Sequence, residues 1–134
     1  MLSGSNKIRS FQSAEHLFLH CSMAGYLWAL VSNWLGISFV YAGELRHHCL
    51  QFTKMAGMPL LTYSFFRVIW FATIWVIWKE RNNRVFQNTG SELFNLIEIV
   101  KRYSFLWLRS KQVAFAYSYH DWWKHPIHCM GAML

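Results

Sequence analysis

The sequence predicts a small, mainly α-helical domain of about four helices, incomplete as it stands. Two observations carry this reading. Apolar residues recur at spacings of three and four through several long stretches, the signature of one helix face packed on a core. Hydrophobic residues make up 54% of the 134 residues and aromatics 19%. Charged residues make up only 14%, against about 25% in an average domain. Such a chain has ample apolar surface for a core, which excludes global disorder. It has more than so short a chain readily covers, so some aromatics are expected to face a partner, a membrane or missing sequence.

Residues 1–13 are small and polar with scattered basic side chains and read as a poorly ordered leader. A first helix is expected over Glu15 to Leu35, with Leu17, Cys21, Ala24, Trp28, Val31 and Leu35 on its apolar stripe and Gly36 as its stop. Ile37 to Ala42 is a short β-rich run that can serve as a connector. Glu44 to Met55 forms a second helix candidate with Leu45, Cys49, Phe52 and Met55 on one face, broken by Gly57 and Pro59. Pro59 to Trp78 is the most hydrophobic stretch, with Arg67 as its only charge. Apolar residues on all sides imply burial in protein or in lipid. Val85 and Phe86 continue the stripe of Phe71, Trp75 and Trp78, so this helix is expected to run to about Phe86. Trp70, Trp75, Trp78 and Trp107 have core spacing and are expected to pack inside. Asn88, Thr89 and Gly90 make a turn. A last long helix opens at Ser91 and Glu92 and carries the stripe Leu93, Leu96, Ile97, Val100, Trp107 and Leu108. Within it Glu98 and Arg102 can pair at i,i+4. After Gln112 the pattern blurs into an aromatic tail broken at Pro126, with residues 131–134 as the end.

The net charge of +7 favours nucleic acid or an anionic membrane as partner. The three cysteines are far apart and odd in number, which argues against a disulfide framework. The first residues carry no apolar stretch after their basic residues, so no signal peptide is expected. A membrane protein with one span at about 59–78 is the alternative from a different class, since a span needs about 20 apolar residues. The flanking Lys79, Arg81 and Arg84 would then be cytoplasmic, and Arg67 near the middle argues against it.

Catalysis has no sequence support. Phosphate-binding glycine loops, a nucleophile elbow and clustered acids are all missing from the sequence, and no small-molecule substrate is indicated. Metal ligation has a weak basis in His16, His20 and Cys21, with His47, His48 and Cys49 or His125, His128 and Cys129 as conceivable second halves; the alternative is that Cys21 packs in a helix core and the histidines are surface. The better class is nucleic-acid binding. Seven of the 13 Lys and Arg lie between Lys79 and Lys111: Lys79, Arg81, Arg84, Lys101, Arg102, Arg109 and Lys111. Asn82 and Asn83 can add contacts, and Tyr103 or Trp107 can stack. The plain alternative is a solvated helix end and face.

The run Glu15-His16-Leu17-Phe18-Leu19-His20-Cys21, then Ala24, Trp28 and Trp34-Leu35-Gly36, resembles the zinc-binding region that follows the polymerase in plant LINE-type (non-LTR) retrotransposon reverse transcriptases. The block Trp75-Val76-Ile77-Trp78-Lys79-Glu80-Arg81-Asn82-Asn83-Arg84-Val85-Phe86 resembles a hallmark of the same C-terminal regions and is the more specific of the two. Ser104 to Trp107, Asp121-Trp122, Pro126 and Cys129 look like the family's end. The resemblance covers residues 14–130. It implies a region downstream of polymerase and endonuclease, non-catalytic by itself, that accompanies proteins handling RNA template and DNA target. It implies a nuclear or cytoplasmic place. It also implies zinc: the family's knuckle looks like C-x₂-C, an acidic stretch, then E-H-x₄-C, and His16 and Cys21 match its last two ligands. Residues 1–14 hold no cysteine, so the resemblance leaves half a site. The expectation is therefore a remnant of such a domain with accessory RNA or DNA binding through Lys79, Arg81, Asn82, Arg84, Lys101 and Arg102.

Overall fold

The computed structural model describes residues 22–37, 45–54, 62–86, 92–111 and 115–130. Among these the chain forms six helices and no strand. Four are the expected ones: α1 (Ser22–Leu35), α2 (Leu45–Thr53), α3 (Tyr63–Phe86) and α4 (Leu93–Lys111). Two short helices follow, α5 (Tyr119–Lys124) and α6 (Pro126–Cys129). The expected leader, the segment Glu15 to Cys21, the run after Ile37 and the end at 131–134 lie outside the described residues.

α1 buries Ala24, Trp28, Val31 and Leu35, the expected stripe, and Leu27 beside them. It ends where Gly36 enters the left-handed region at φ 71°. The Gly36 N–H donates to the Asn33 carbonyl at 3.1 Å and the Ile37 N–H to the Ser32 carbonyl at 3.0 Å. This pair of bonds closes the last turn, and the positive φ suits glycine because it has no Cβ.

α2 is rotated from the expected face. Phe52 is buried as expected, but His48 takes the centre and is fully buried, while Cys49 is only half-buried. The cause lies on its neighbours. Trp28 of α1 places its ring 4.4 Å from the His48 ring. Trp70 of α3 donates its indole N–H to His48 Nδ1 at 2.8 Å. Indole N–H is a donor only, so Nδ1 carries no proton and the imidazole is neutral. A buried histidine whose Nδ1 is satisfied in this way fits an apolar interior, where an isolated charge would not.

α3 runs as one helix through the polar block to Phe86. It buries Phe66, Ile69, Trp70, Ala72, Thr73, Val76, Ile77 and Glu80. The Thr73 hydroxyl donates back to the Ile69 carbonyl at 2.8 Å, which satisfies it inside the core. α4 packs along α3, α2 packs on α3, and α1 touches both α3 and α4. α4 buries Leu96, Ile97, Val100 and Leu108, as the stripe predicts, together with Ser104 and Phe105. Leu93 and Trp107 are half-buried at the margin.

The tail after Gln112 is ordered where it is described, because Ser118 caps α5. The Ser118 hydroxyl accepts from the Asp121 N–H at 3.2 Å, and the Asp121 carboxylate accepts from the Ser118 N–H at 3.4 Å. Pro126 starts α6 rather than ending structure, at the first turn where no N–H is needed. This arrangement drives Trp122 fully into the core. Its indole N–H donates to Ser104 Oγ at 3.0 Å. Its ring lies 5.7 Å from Phe115, 5.5 Å from Trp34 and 6.5 Å from Phe65. α5 and α6 thus close the end of the bundle formed by α1, α3 and α4.

Candidate nucleic-acid interface

The expected basic residues divide into three environments. Lys79 and Arg102 come from different helices and line one groove between α3 and α4. It has a volume of about 370 Å³ and a floor of Val76, Leu96 and Ile99. Asn83 and Tyr103 complete its walls. Glu80 also reaches it, but that carboxylate is buried and ion-paired with Arg84 Nε at 3.0 Å. The groove therefore combines two cations from separate elements, an amide, a phenol ring and an apolar base.

Arg81, Asn82 and Arg84 lie elsewhere. Arg81 is exposed and, two positions on from Lys79, points about 200° away around the helix. Asn82 is half-buried. The side chain of Arg84 is 48% exposed, and its charge is engaged by Glu80 one turn back. Arg109 and Lys111 are exposed in the last turn of α4, a position where cations complement the helix dipole.

Lys101 departs from expectation. Its side chain is only 12% exposed. The ammonium lies over the ring of Trp123 at 4.8 Å and that of Trp34 at 5.6 Å. It also lies 3.5 Å from Glu98 Oε1. Glu98 in turn accepts the Trp123 indole N–H at 2.9 Å, and the Trp34 N–H donates to the Trp123 carbonyl at 2.9 Å. Lys101 thus ties α4 to α1 and α5. The expected Glu98–Arg102 pair gives way to this arrangement. Arg102 instead sits 5.9 Å from the Tyr119 ring. Burial, with Glu98 nearby, raises the Tyr119 phenol above its ordinary value, partly opposed by Arg102.

A second correction concerns the tryptophans. Trp70 is buried at 7% exposure, but Trp75 is 40% and Trp78 46% exposed. The two lie against each other with ring centroids 5.5 Å apart and planes at 25°. Phe71, one turn before Trp75, is 50% exposed. Core spacing alone misplaces these rings, because α3 is apolar all round and its covered arc is chosen by its neighbours. The signal that finds the open arc is Arg67, which shares the face of Phe71, Trp75 and Trp78.

The zinc half-site, His16 and Cys21, lies outside the described residues. Of the conceivable second halves, His47, His48, Cys49, His125, His128 and Cys129 are among the described residues. His48 Nδ1 is taken by Trp70. Cys129 is buried, and desolvation, with Asp121 adding, pushes its thiol up to about 11. Cys49 and Cys129 are free thiols. Among the described residues no group of three or more His, Cys, Asp or Glu could hold a metal ion.

No helix among the described residues is long and apolar enough to cross a membrane. The expected span begins at Pro59, outside the described residues; its described part, from Thr62, continues in one helix through Lys79, Glu80 and Arg81. In comparisons with protein-family models, curated proteins and solved structures, the chain has no match.

Proposed function

We propose that this chain is a non-catalytic helical module that binds RNA or DNA as an accessory, a remnant similar to the region following the polymerase in LINE-type reverse transcriptases. The observation that carries the binding reading is the groove between α3 and α4, where Lys79 and Arg102 meet from two helices with Asn83 and Tyr103 beside them. Two cations held by a rigid helix pair can engage adjacent backbone phosphates, and the amide and phenol can hydrogen-bond sugar or phosphate. The one carboxylate nearby is neutralised by Arg84. The net charge of +7 supports electrostatic attraction at longer range. Arg81 extends the basic surface on the other side of α3. Lys101 has no part in it, and Arg84 a small one. A nucleic-acid partner fits a nuclear or cytoplasmic place.

The test is equilibrium binding of a labelled single-stranded RNA across a salt series. Every phosphate that the protein ceases to neutralise makes the slope of log K against log salt shallower by about 0.7. Lys79→Gln and Arg102→Gln are each expected to reduce affinity and to flatten the slope by about that amount, whatever the RNA sequence. Lys101→Gln should leave the slope unchanged. Wild-type slope in the Lys79→Gln, Arg102→Gln double variant overturns the proposal.

A further inference from the structure

Arg67, Phe71, Trp75, Trp78 and Arg81 recur at spacings of three and four along α3 and share its solvent-facing arc. Three aromatic rings, each 40–50% exposed, stand between two cations. The only acid on α3 is Glu80, which is buried on the opposite arc and paired with Arg84. The face is therefore aromatic and positive with no negative charge on it. Trp75 and Trp78 lie near-parallel, so the pair is already arranged as a stack at the surface. Phe71 is held by an edge contact to the buried Trp70 at 5.2 Å and 85°.

Resting on the nucleic-acid reading above, we infer that this stripe is a base-stacking platform and that the partner is single-stranded. A ring offered to solvent can stack an unpaired base, whatever its identity, because every base has a π-face. A base inside a duplex has both faces occupied by its neighbours and cannot use the platform. The flanking Arg67 and Arg81 match the phosphates of a strand laid along the helix, about 21 Å from one to the other at 1.5 Å per residue. Lys79, next in sequence to Trp78, joins this face to the groove between α3 and α4. Ile74, on the same arc, is half-buried and packed against the core, so the large exposed side chains described there are aromatic or basic.

The experiment compares a short labelled oligo(dT) with a hairpin duplex of equal phosphate number, by fluorescence anisotropy on the whole chain, beside phosphatidylserine–phosphatidylcholine vesicles. Oligo(dT) is expected to bind more tightly than the hairpin. The Trp75→Ser, Trp78→Ser double variant should lose about tenfold or more for oligo(dT), change little for the hairpin, and keep the wild-type salt slope, because the rings carry no charge. The Trp75→Phe, Trp78→Phe variant should retain most of the affinity, which separates loss of stacking from loss of fold. Equal binding of oligo(dT) and hairpin, or an unaffected serine variant, overturns the stacking platform and leaves the groove reading standing. Vesicle binding that the serine variant abolishes, with oligo(dT) binding unchanged, assigns the face to a membrane surface and overturns the inference. Absence of any nucleic-acid binding at low salt removes the reading on which it rests, and the platform with it.

Discussion

Trp70 and Trp78 lie eight residues apart on α3, yet one is 7% exposed and the other 46%. Trp70 has Trp28 beside it, donates to His48, and sits against α2. Trp78 has a stacked neighbour in Trp75 on its own helix. The two side chains have identical hydrophobicity, so the difference comes from what packs on each arc. Where neighbouring helices cover it, an indole enters the core and its N–H is given an acceptor: His48 for Trp70 of α3, Ser104 for Trp122 of α5. On the uncovered arc no buried acceptor is needed, and the rings stay partly exposed.

The largest effect should come from the covered side. Trp122 is fully buried, with Phe115, Phe65 and Trp34 around it. Trp122→Ala is expected to destabilise by about 3–5 kcal/mol, the range for large aromatics removed from a core. Urea unfolding measures it. A destabilisation below about 1 kcal/mol would show that α5 does not close the bundle, and would break the contrast between covered and exposed indoles.

A smaller effect separates packing from hydrogen bonding. Trp70→Phe keeps an aromatic ring against Trp28 but removes the only donor an indole offers. His48 Nδ1 is then left without its 2.8 Å partner inside the core. The expected cost is about 1–3 kcal/mol. Combining it with His48→Leu should recover part of that cost, since an apolar pair leaves no polar atom behind. If the double variant is as unstable as the sum of its parts, the bond is not what fixes the α2 face.

These contrasts also show what the sequence could reveal. The extent of α3 to Phe86 was readable because its stripe continues through the polar block, and the end of α1 was readable because Gly36 can take a left-handed turn. The grouping of Lys79 and Arg102 was not, since no spacing rule relates residues on two helices. Nor was the role of Lys101, whose partners Trp34 and Trp123 are far away in sequence. A lysine with an aliphatic stem and a charged tip fits either a solvated face or a buried strut. Trp122 escaped detection because a six-residue helix is too short to show periodicity. The signal that marks its start was present in Ser118 and Asp121, a serine with an acid three positions on. His16 and Cys21 lie outside the described residues, and the resemblance that singled them out stays an expectation.

The smallest effect is expected on the open arc, and it is the sharpest test of the contrast. Trp75→Ser and Trp78→Ser remove two large rings from the longest helix. If hydrophobicity alone decided stability, the pair would cost as much as a core deletion. Because each ring is 40–46% exposed and packs partly against the other, the expected change is within about 0.5 kcal/mol per site. Taking exposed apolar surface out of water offsets part of the packing that the rings supply. Thermal and urea unfolding read this directly. A destabilisation of about 2 kcal/mol or more would mean that these rings hold α3 in place, and their exposure would then be a by-product of packing. A near-neutral result leaves two tryptophans that the fold does not need, with a cation at either end of their stripe, which is what a surface built to receive another molecule looks like.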